Sequence, residues 1–162
     1  MRIENVMTRA VITVPPGASL KEAARLLVEM RISGLPVVDS DGTVLGVLSE
    51  ADMLVQARGA RRGGGPLAWF IDPLDISDRL KLAASVVAEA MTAPPVTIES
   101  GRTIAAAAEL MIERGINRLP VVDLGKLVGI VTRNDLVRAF VGTDAEALPV
   151  SVARVGGSQV PA

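Results

Sequence analysis

The stretch MTRAVITVPPGASLKEAARLLVEMRISGLPVVD at 7–39 returns as MTAPPVTIESGRTIAAAAELMIERGINRLPVVD at 91–123, displaced by 84 positions throughout. Beyond it the displacement falls to 83, and GVLSEADML at 46–54 aligns with GIVTRNDLV at 129–137. One residue has dropped out between two apolar runs, where a hairpin turn tolerates a change of length. Two copies are fewer than the roughly three that stabilise a solenoid, so the expectation is a pseudo-symmetric pair packed together.

Each copy reads as the same series of elements. VITV at 11–14 and VTI at 96–98 are short β-rich runs, followed by turns at Gly17 and Gly101. Ser19 opens a capping box closed by Glu22, and Leu20, Ala23, Ala24, Leu27 and Met30 then recur at helical spacing. In the second copy Thr103 caps a helix whose apolar positions are Ile104, Ala107, Ala108 and Met111. LPVVD follows in both, with Pro36 or Pro120 at a strand start, where a missing N–H costs least. Asp41-Gly42 and Gly125-Lys126 supply the turns into VLGVLS and LVGIVT, and helices begin after Ser49 and Thr132. The expected fold class is α+β: two pseudo-symmetric β-α-β-β-α repeats packed sheet to sheet, with clefts between them and an inserted linker and helix. The boundaries implied are 1–60, an insertion over 61–87, 88–141, and a flexible tail over 142–162.

Composition then narrows the chemistry. Hydrophobic residues make up 49% of the 162, enough for a folded core. With no Cys and no His, zinc clusters, thiolate nucleophiles, imidazole triads and disulfide frameworks are excluded. No paired carboxylate or Lys constellation offers a clear nucleophile instead, so an enzyme is the least expected class and no metal site is expected. A net charge of −1 supplies no broad field for nucleic acid or anionic lipid. The N-terminal apolar run stops at Pro15 after four residues, unlike a signal peptide, and the Ala-rich segment 104–112 is interrupted by Glu109 and too short to span a bilayer. The expected location is the cytoplasm, with no membrane contact.

The repeated Ser49-x-x-Asp52 and Thr132-x-x-Asp135 each read as a capping box, in which hydroxyl and carboxylate satisfy N–H groups left unpaired at a helix start. Position adds a second reading. Both stand where a strand meets a helix facing a cleft, and a helix N-terminus there favours a phosphate. A carboxylate in that place can accept from the hydroxyls of a ribose, as the acidic residue of dinucleotide folds does.

Taken together, the leading Met-Thr, the capped helix, the Ile-x-x-LPVVD block (Gly-Ile-x-x-LPVVD in the second copy) and G-h-[ST]-x-x-D (h apolar), each present twice and in order, resemble a tandem pair of cystathionine β-synthase domains, or Bateman module. The resemblance covers about 7–54 and 91–140. It implies a regulatory module that binds adenine nucleotides (AMP, ADP or ATP, with S-adenosylmethionine a further candidate) between the repeats and forms a homodimer. Carried over residue by residue, it implies one site built from Thr8, Val11, Ile12, Ile32, Ser33, Asn117, Arg118, Thr132, Arg133 and Asp135. Adenine would lie between aliphatic side chains, Asp135 would hold the ribose and Thr132 would face the phosphate. A second site would use Gly34, Ser49, Asp52, Thr92, Val96 and Ile116, with Ser33 and Asn117 shared. Arg118 and Arg133 flank the Asp135 site where Gly34 and Glu50 stand at the other, so phosphate is expected at Asp135 unless these arginines form only a solvated surface.

The insertion is less informative. Arg58, Arg61 and Arg62 sit among glycines without aromatic interleaving, a weak basis for nucleic-acid binding. Trp69 and Phe70 read as an anchor on the core or at a dimer interface, and Asp72, Asp75 and Asp78 as turn and helix-start residues. The pattern from Asp78 to Met91 reads as helical. The leading function is a stand-alone nucleotide sensor acting on a client protein the sequence does not identify. The alternatives are a ligand-free dimerisation scaffold, and nucleic-acid binding through the basic linker.

Overall fold

The structure, a computed structural model, describes residues 1–58 and 85–142. Arg61, Arg62, Trp69, Phe70, Asp72, Asp75, Asp78 and the tail from 143 lie outside the described residues. A short 3-10 turn at Ile3–Asn5 precedes α1 (Leu20–Met30), β1 (Gly34–Val38), β2 (Val44–Ser49) and α2 (Glu50–Arg58). After the undescribed stretch come α3 (Val87–Ala90), β3 (Ile98–Glu99), α4 (Ile104–Arg114), β4 (Arg118–Asp123), β5 (Lys126–Thr132) and α5 (Arg133–Val141). The mixed α/β repeat architecture is as expected.

Local chemistry explains the elements. The Ser19 Oγ accepts from the Glu22 N–H at 3.1 Å while the Glu22 carboxylate accepts from the Ser19 N–H at 2.9 Å, a full capping box for α1. Leu20, Ala23 and Leu27 are buried, but Met30 is exposed, because the helix stops there with Arg31 left-handed at φ 53. In α4 the Thr103 Oγ1 accepts from the Ala106 N–H at 3.1 Å, and the helix ends on Gly115 at φ 62. β1 pairs antiparallel with β2, and β4 with β5, each with a register shift after the equivalent residue, Val37 or Val121. The dropped residue falls in the hairpin turn: Val38 pairs with Val44 across five residues, and Val122 with Leu127 across four.

Three expectations need correction. The second turn is Leu124-Gly125 at φ 50 and 77, not Gly125-Lys126, because Lys126 already pairs with Asp123. Two positive φ values in a two-residue loop match the twist of the flanking strands. Of VITV only Val14 forms a bridge, parallel to Val37, since Pro15 and Pro16 have no N–H with which to continue the ladder. Only the second copy has a named first strand, β3, parallel to β4. Finally, the described part of the helical pattern ending at Met91 is helical only over Val87–Ala90. Val86 is extended and bridges Ser19, the Leu20 N–H donates to the Ser85 carbonyl at 2.9 Å, and the Val87 N–H to Ala18 at 2.8 Å. The backbone there is engaged by the chain entering α1.

That engagement is half of a reciprocal exchange. Arg2 bridges Thr103 as Val86 bridges Ser19, and Thr8 bridges Ile130 as Thr92 bridges Val47. Thr8 and Ile130 exchange two N–H···O bonds of 2.9 Å; Thr92 and Val47 exchange bonds of 2.9 and 3.1 Å. The segment leading into each copy therefore lies on the other copy's sheet. The cores record it: Val87 is buried with Val14, Leu20, Leu35, Val37 and Leu48, whereas Ile3 and Met7 are buried with Met111, Leu119, Val121 and Val131. The repeated glycines make this approach possible. A Cβ at position 46 would stand 2.7 Å from the Met91 Sδ and 2.8 Å from the Thr92 carbonyl, and one at 129 would stand 3.1 Å from the Thr8 carbonyl.

Ile3 is 0% exposed and belongs to the second repeat's core. Ile3→Ala is expected to cost about 2–4 kcal/mol of stability, measured by urea denaturation. Hydrogen-exchange protection should fall first in α4 and β5, although the substitution lies at the opposite end of the chain. Protection lost first from β1 and β2 would contradict the exchange.

Candidate functional site

Because the leading segments cross, each strand-to-helix junction of one copy faces a segment of the other. Between them lie two clefts, of about 580 and 400 Å³. The larger holds all ten residues expected at the first site: Thr8, Val11, Ile12, Ile32, Ser33, Asn117, Arg118, Thr132, Arg133 and Asp135. The smaller holds Ser49, Asp52, Thr92, Val96 and Ile116, with Ser33 and Asn117 shared between both. Gly34 is misplaced in that expectation: it lines the larger cleft, not the smaller.

The two acidic residues are held by their caps, and held differently. In α5 the N–H and the hydroxyl of Thr132 both donate to Asp135 Oδ2 at 2.7 Å, and the Asp135 N–H returns to Thr132 Oγ1 at 3.3 Å. Among the described residues nothing donates to Asp135 Oδ1, and the residue is half-buried at the cleft wall. In α2 the N–H and hydroxyl of Ser49 donate to Asp52 Oδ2 at 2.8 Å, but Thr92 Oγ1 also donates to Asp52 Oδ1 at 3.2 Å. The free oxygen that a ligand hydroxyl could address is therefore present at Asp135 and already engaged at Asp52. Each helix start is also tied to the opposite strand start, Arg133 N–H to the Asn117 carbonyl at 2.9 Å and Glu50 N–H to the Ser33 carbonyl at 3.1 Å.

Charge separates the clefts further. Arg31, Arg118 and Arg133 line the larger one, where the N-terminus of α5 adds its partial positive charge. Arg31 is missing from the sequence expectation. Its sign was available in the alignment, since its counterpart is Gly115, a residue that marks the left-handed end of a helix and hence the turn that brings position 31 to the cleft. Glu50 and Asp52 line the smaller cleft. Arg118 is not confined to the Asp135 side: it lines both clefts, and its Nη2 donates to the Ser33 Oγ at 2.8 Å. Burial pushes the pKa of its guanidinium down, and Glu50 and then Asp52 act in the opposite direction.

The sequence pattern of the CBS domain matches residues 3–58 and 87–142, both copies in full. The chain belongs to the CBS domain family. This CBS pair is 36% identical over 135 residues to the chloroplastic CBS domain-containing protein CBSX2 of Arabidopsis thaliana, an alignment covering 78% of this chain and 57% of CBSX2. The chain thus spans little more than half the length of that relative. Among solved structures, CBSX2 in complex with AMP superposes with a TM-score of 0.68 at 32% identity, covering 86% of this chain and 96% of that one. The CBS domain pair of protein MJ0100, in complex with 5′-methylthioadenosine and S-adenosyl-L-methionine, does so with a TM-score of 0.65 at 26% identity, covering 86% and 95%. Among the described residues of this CBS pair, no helix is long and apolar enough to cross a membrane, and no cluster of three or more His, Cys, Asp or Glu could hold a metal ion.

A Cβ at Gly34 would fall on the Arg118 guanidinium and stand 2.8 Å from the Leu48 carbonyl, which cannot move without breaking the β1–β2 ladder. Gly34→Ala is therefore expected to cost about 1–3 kcal/mol in chemical denaturation. Gly17→Ala, whose new Cβ meets nothing within 4 Å, should stay within about 0.5 kcal/mol. Equal effects at the two positions would mean that Gly34 is not closely faced.

Proposed function

We propose that this CBS pair is a regulatory ligand-sensing module that binds adenine nucleotides (AMP, ADP or ATP) in the clefts between its repeats and relays their presence to a partner or to dimer geometry. The observation that carries the reading is Asp135: one carboxylate oxygen fixed by its own helix cap, the other open to a cleft with a helix N-terminus and three arginines for phosphate. Val11, Ile12 and Ile32, each partly exposed in the same cleft, supply an aliphatic slot of the kind that accepts a flat purine. AMP in CBSX2 and the adenosine compounds in MJ0100 support the ligand class. S-adenosylmethionine, which carries no phosphate, is a further candidate for the smaller cleft, where Glu50 and Asp52 outnumber its one lining arginine, Arg118. With neither His nor Cys to carry chemistry, the role proposed is binding and not catalysis.

A ligand seated on Asp135 touches α5 of the second repeat and the Thr8–Ile12 segment of the first, so its binding energy depends on how the two copies sit. That dependence is the relay, and it acts reciprocally on whatever the module contacts. The partner surface is proposed to be a second copy. Val28 and its equivalent Ile112 are 77% and 79% exposed, and Leu54 and its equivalent Val137 are 47% and 53% exposed. Apolar residues left open at equivalent positions of both copies suit a symmetric homodimer, whose interface repeats its own contacts. The reading places the protein in the cytoplasm; CBSX2 is chloroplastic and lends that compartment no support.

Titration calorimetry of the full chain with AMP, ADP and ATP tests the site. Asp135→Ala is expected to weaken binding by about 10- to 100-fold, the loss of a charged hydrogen-bond acceptor, with Asp52→Ala doing less. The reverse order would move the ribose to Asp52. Absence of both heat and thermal stabilisation with any of these nucleotides would leave the ligand-free scaffold as the better reading. For the dimer, sedimentation velocity should show a two-chain species that Val28→Asp combined with Ile112→Asp converts to monomer; a monomer before substitution refutes it.

A further inference from the structure

We infer that Arg118 is a single cation shared by the two clefts, so that a phosphorylated adenosine bound at Asp135 weakens binding of a second phosphorylated ligand at Asp52. This rests on the nucleotide reading above. Position 118 is the equivalent of position 34, at the displacement of 84, and the two come face to face where the repeats meet. The Arg118 guanidinium lies in the space that the absent side chain at 34 leaves, where a Cβ would also stand 2.8 Å from the Leu48 carbonyl. Position 34 thus supplies no second cation, and Arg118 lines both clefts.

Its surroundings give it a reason to lie towards either one. The Ser33 Oγ, in the wall common to both clefts, accepts from Nη2 at 2.8 Å. Glu50 and Asp52 attract the guanidinium from the smaller cleft, and the larger cleft lies open to it on its other side. Among the described residues lining the Asp52 cleft, Arg118 is the only cationic side chain. The Asp135 cleft has Arg31 and Arg133 as well, so it is the better place for the first phosphate. A phosphate held there competes with Glu50 and Asp52 for Arg118. Once the guanidinium turns to it, the Asp52 cleft presents two carboxylates without a counter-charge, which repel a second phosphate and leave an uncharged adenosine unaffected. Both charges are partly exposed, so the coupling should shrink as salt is raised.

The experiment titrates the full chain and its Asp135→Ala variant with AMP and, separately, with adenosine. With the Asp135 cleft weakened in the variant, AMP fills the Asp52 cleft first, while its neighbour is still unoccupied. With AMP, the weaker step of the unaltered chain should be about 5- to 30-fold weaker than the first step of the variant. With adenosine, the two should agree. Arg118→Met, introduced in both backgrounds, should remove the AMP difference; if that chain does not fold, the contrast between AMP and adenosine decides alone. An Asp52-cleft affinity for AMP that is the same in the unaltered chain and in Asp135→Ala overturns the shared cation while leaving nucleotide binding intact, and so does an equal deficit with adenosine. No binding of either compound to the unaltered chain overturns the nucleotide reading and this inference with it.

Discussion

The exchange of leading segments between the two copies is the contact on which everything else in this molecule depends. Neither repeat closes its own core. Ile3 and Met7 complete the core of the second copy, and Val87 completes that of the first, each carried there by a short run of backbone bridges. The close approach is possible because Gly46 and Gly129 have no side chain to stand in the way of Met91, Thr92 and Thr8. A strand interior is a poor place for glycine, and its repetition there marks a backbone passing overhead. Folding of the pair and formation of the clefts are consequently one event, since the wall of each cleft is the same segment that seals the opposite core.

Capping and ligand binding share atoms here without conflict. A carboxylate has two oxygens and about four lone-pair directions, and a helix start uses only one oxygen. At Asp135 both cap bonds fall on Oδ2, which leaves Oδ1 without a donor among the described residues in a side chain that lines the cleft. The cap is therefore the device that orients the acid at little entropic cost on binding. At Asp52 the same cap is present, but the hydroxyl of Thr92 has taken the outward oxygen. The equivalent hydroxyl, that of Thr8, makes no such bond among the described residues, so two copies of one motif differ in what remains to offer.

Much of this was legible in the sequence, and the limits are physical. The caps of α1, α4 and α5, the hairpins and the lost turn residue follow from patterns within a few residues, and the structure has them. The membership of the larger cleft came from the resemblance to paired cystathionine β-synthase domains, and the structure gathers those ten residues in one cleft. What local patterns could not give was the crossing of the segments before each copy. VITV has the composition of a strand, yet Pro15 and Pro16 confine it to one bridge at Val14; Ser85 and Val86 continue a helical pattern, yet their backbone is paired with the chain at Ala18 to Leu20. In both cases a long-range or main-chain constraint overrode side-chain periodicity. Gly34 went astray, and the second role of Arg118 was missed, for a related reason: each copy viewed alone assigns them to separate clefts, and only the contact between copies puts the arginine over the glycine.

That contact shows why a duplicated chain departs from symmetry at this point. Where two related copies meet face to face, equivalent positions border the same space, and here the Arg118 guanidinium occupies the room that Gly34 leaves. Once the arginine resides on the second copy, the clefts cannot remain electrostatically alike. Arg31 and Arg133 accumulate on one side, Glu50 and Asp52 on the other. Individual exposed charges contribute little in water, on the order of 0–1 kcal/mol for a pair, so no single one of them would sort a phosphorylated from an unphosphorylated ligand. Sorting requires several like charges acting on one half-buried group within reach of both clefts, and Arg118, bonded to the Ser33 hydroxyl in their common wall and attracted by Glu50 and Asp52, is the residue in which these opposing demands meet.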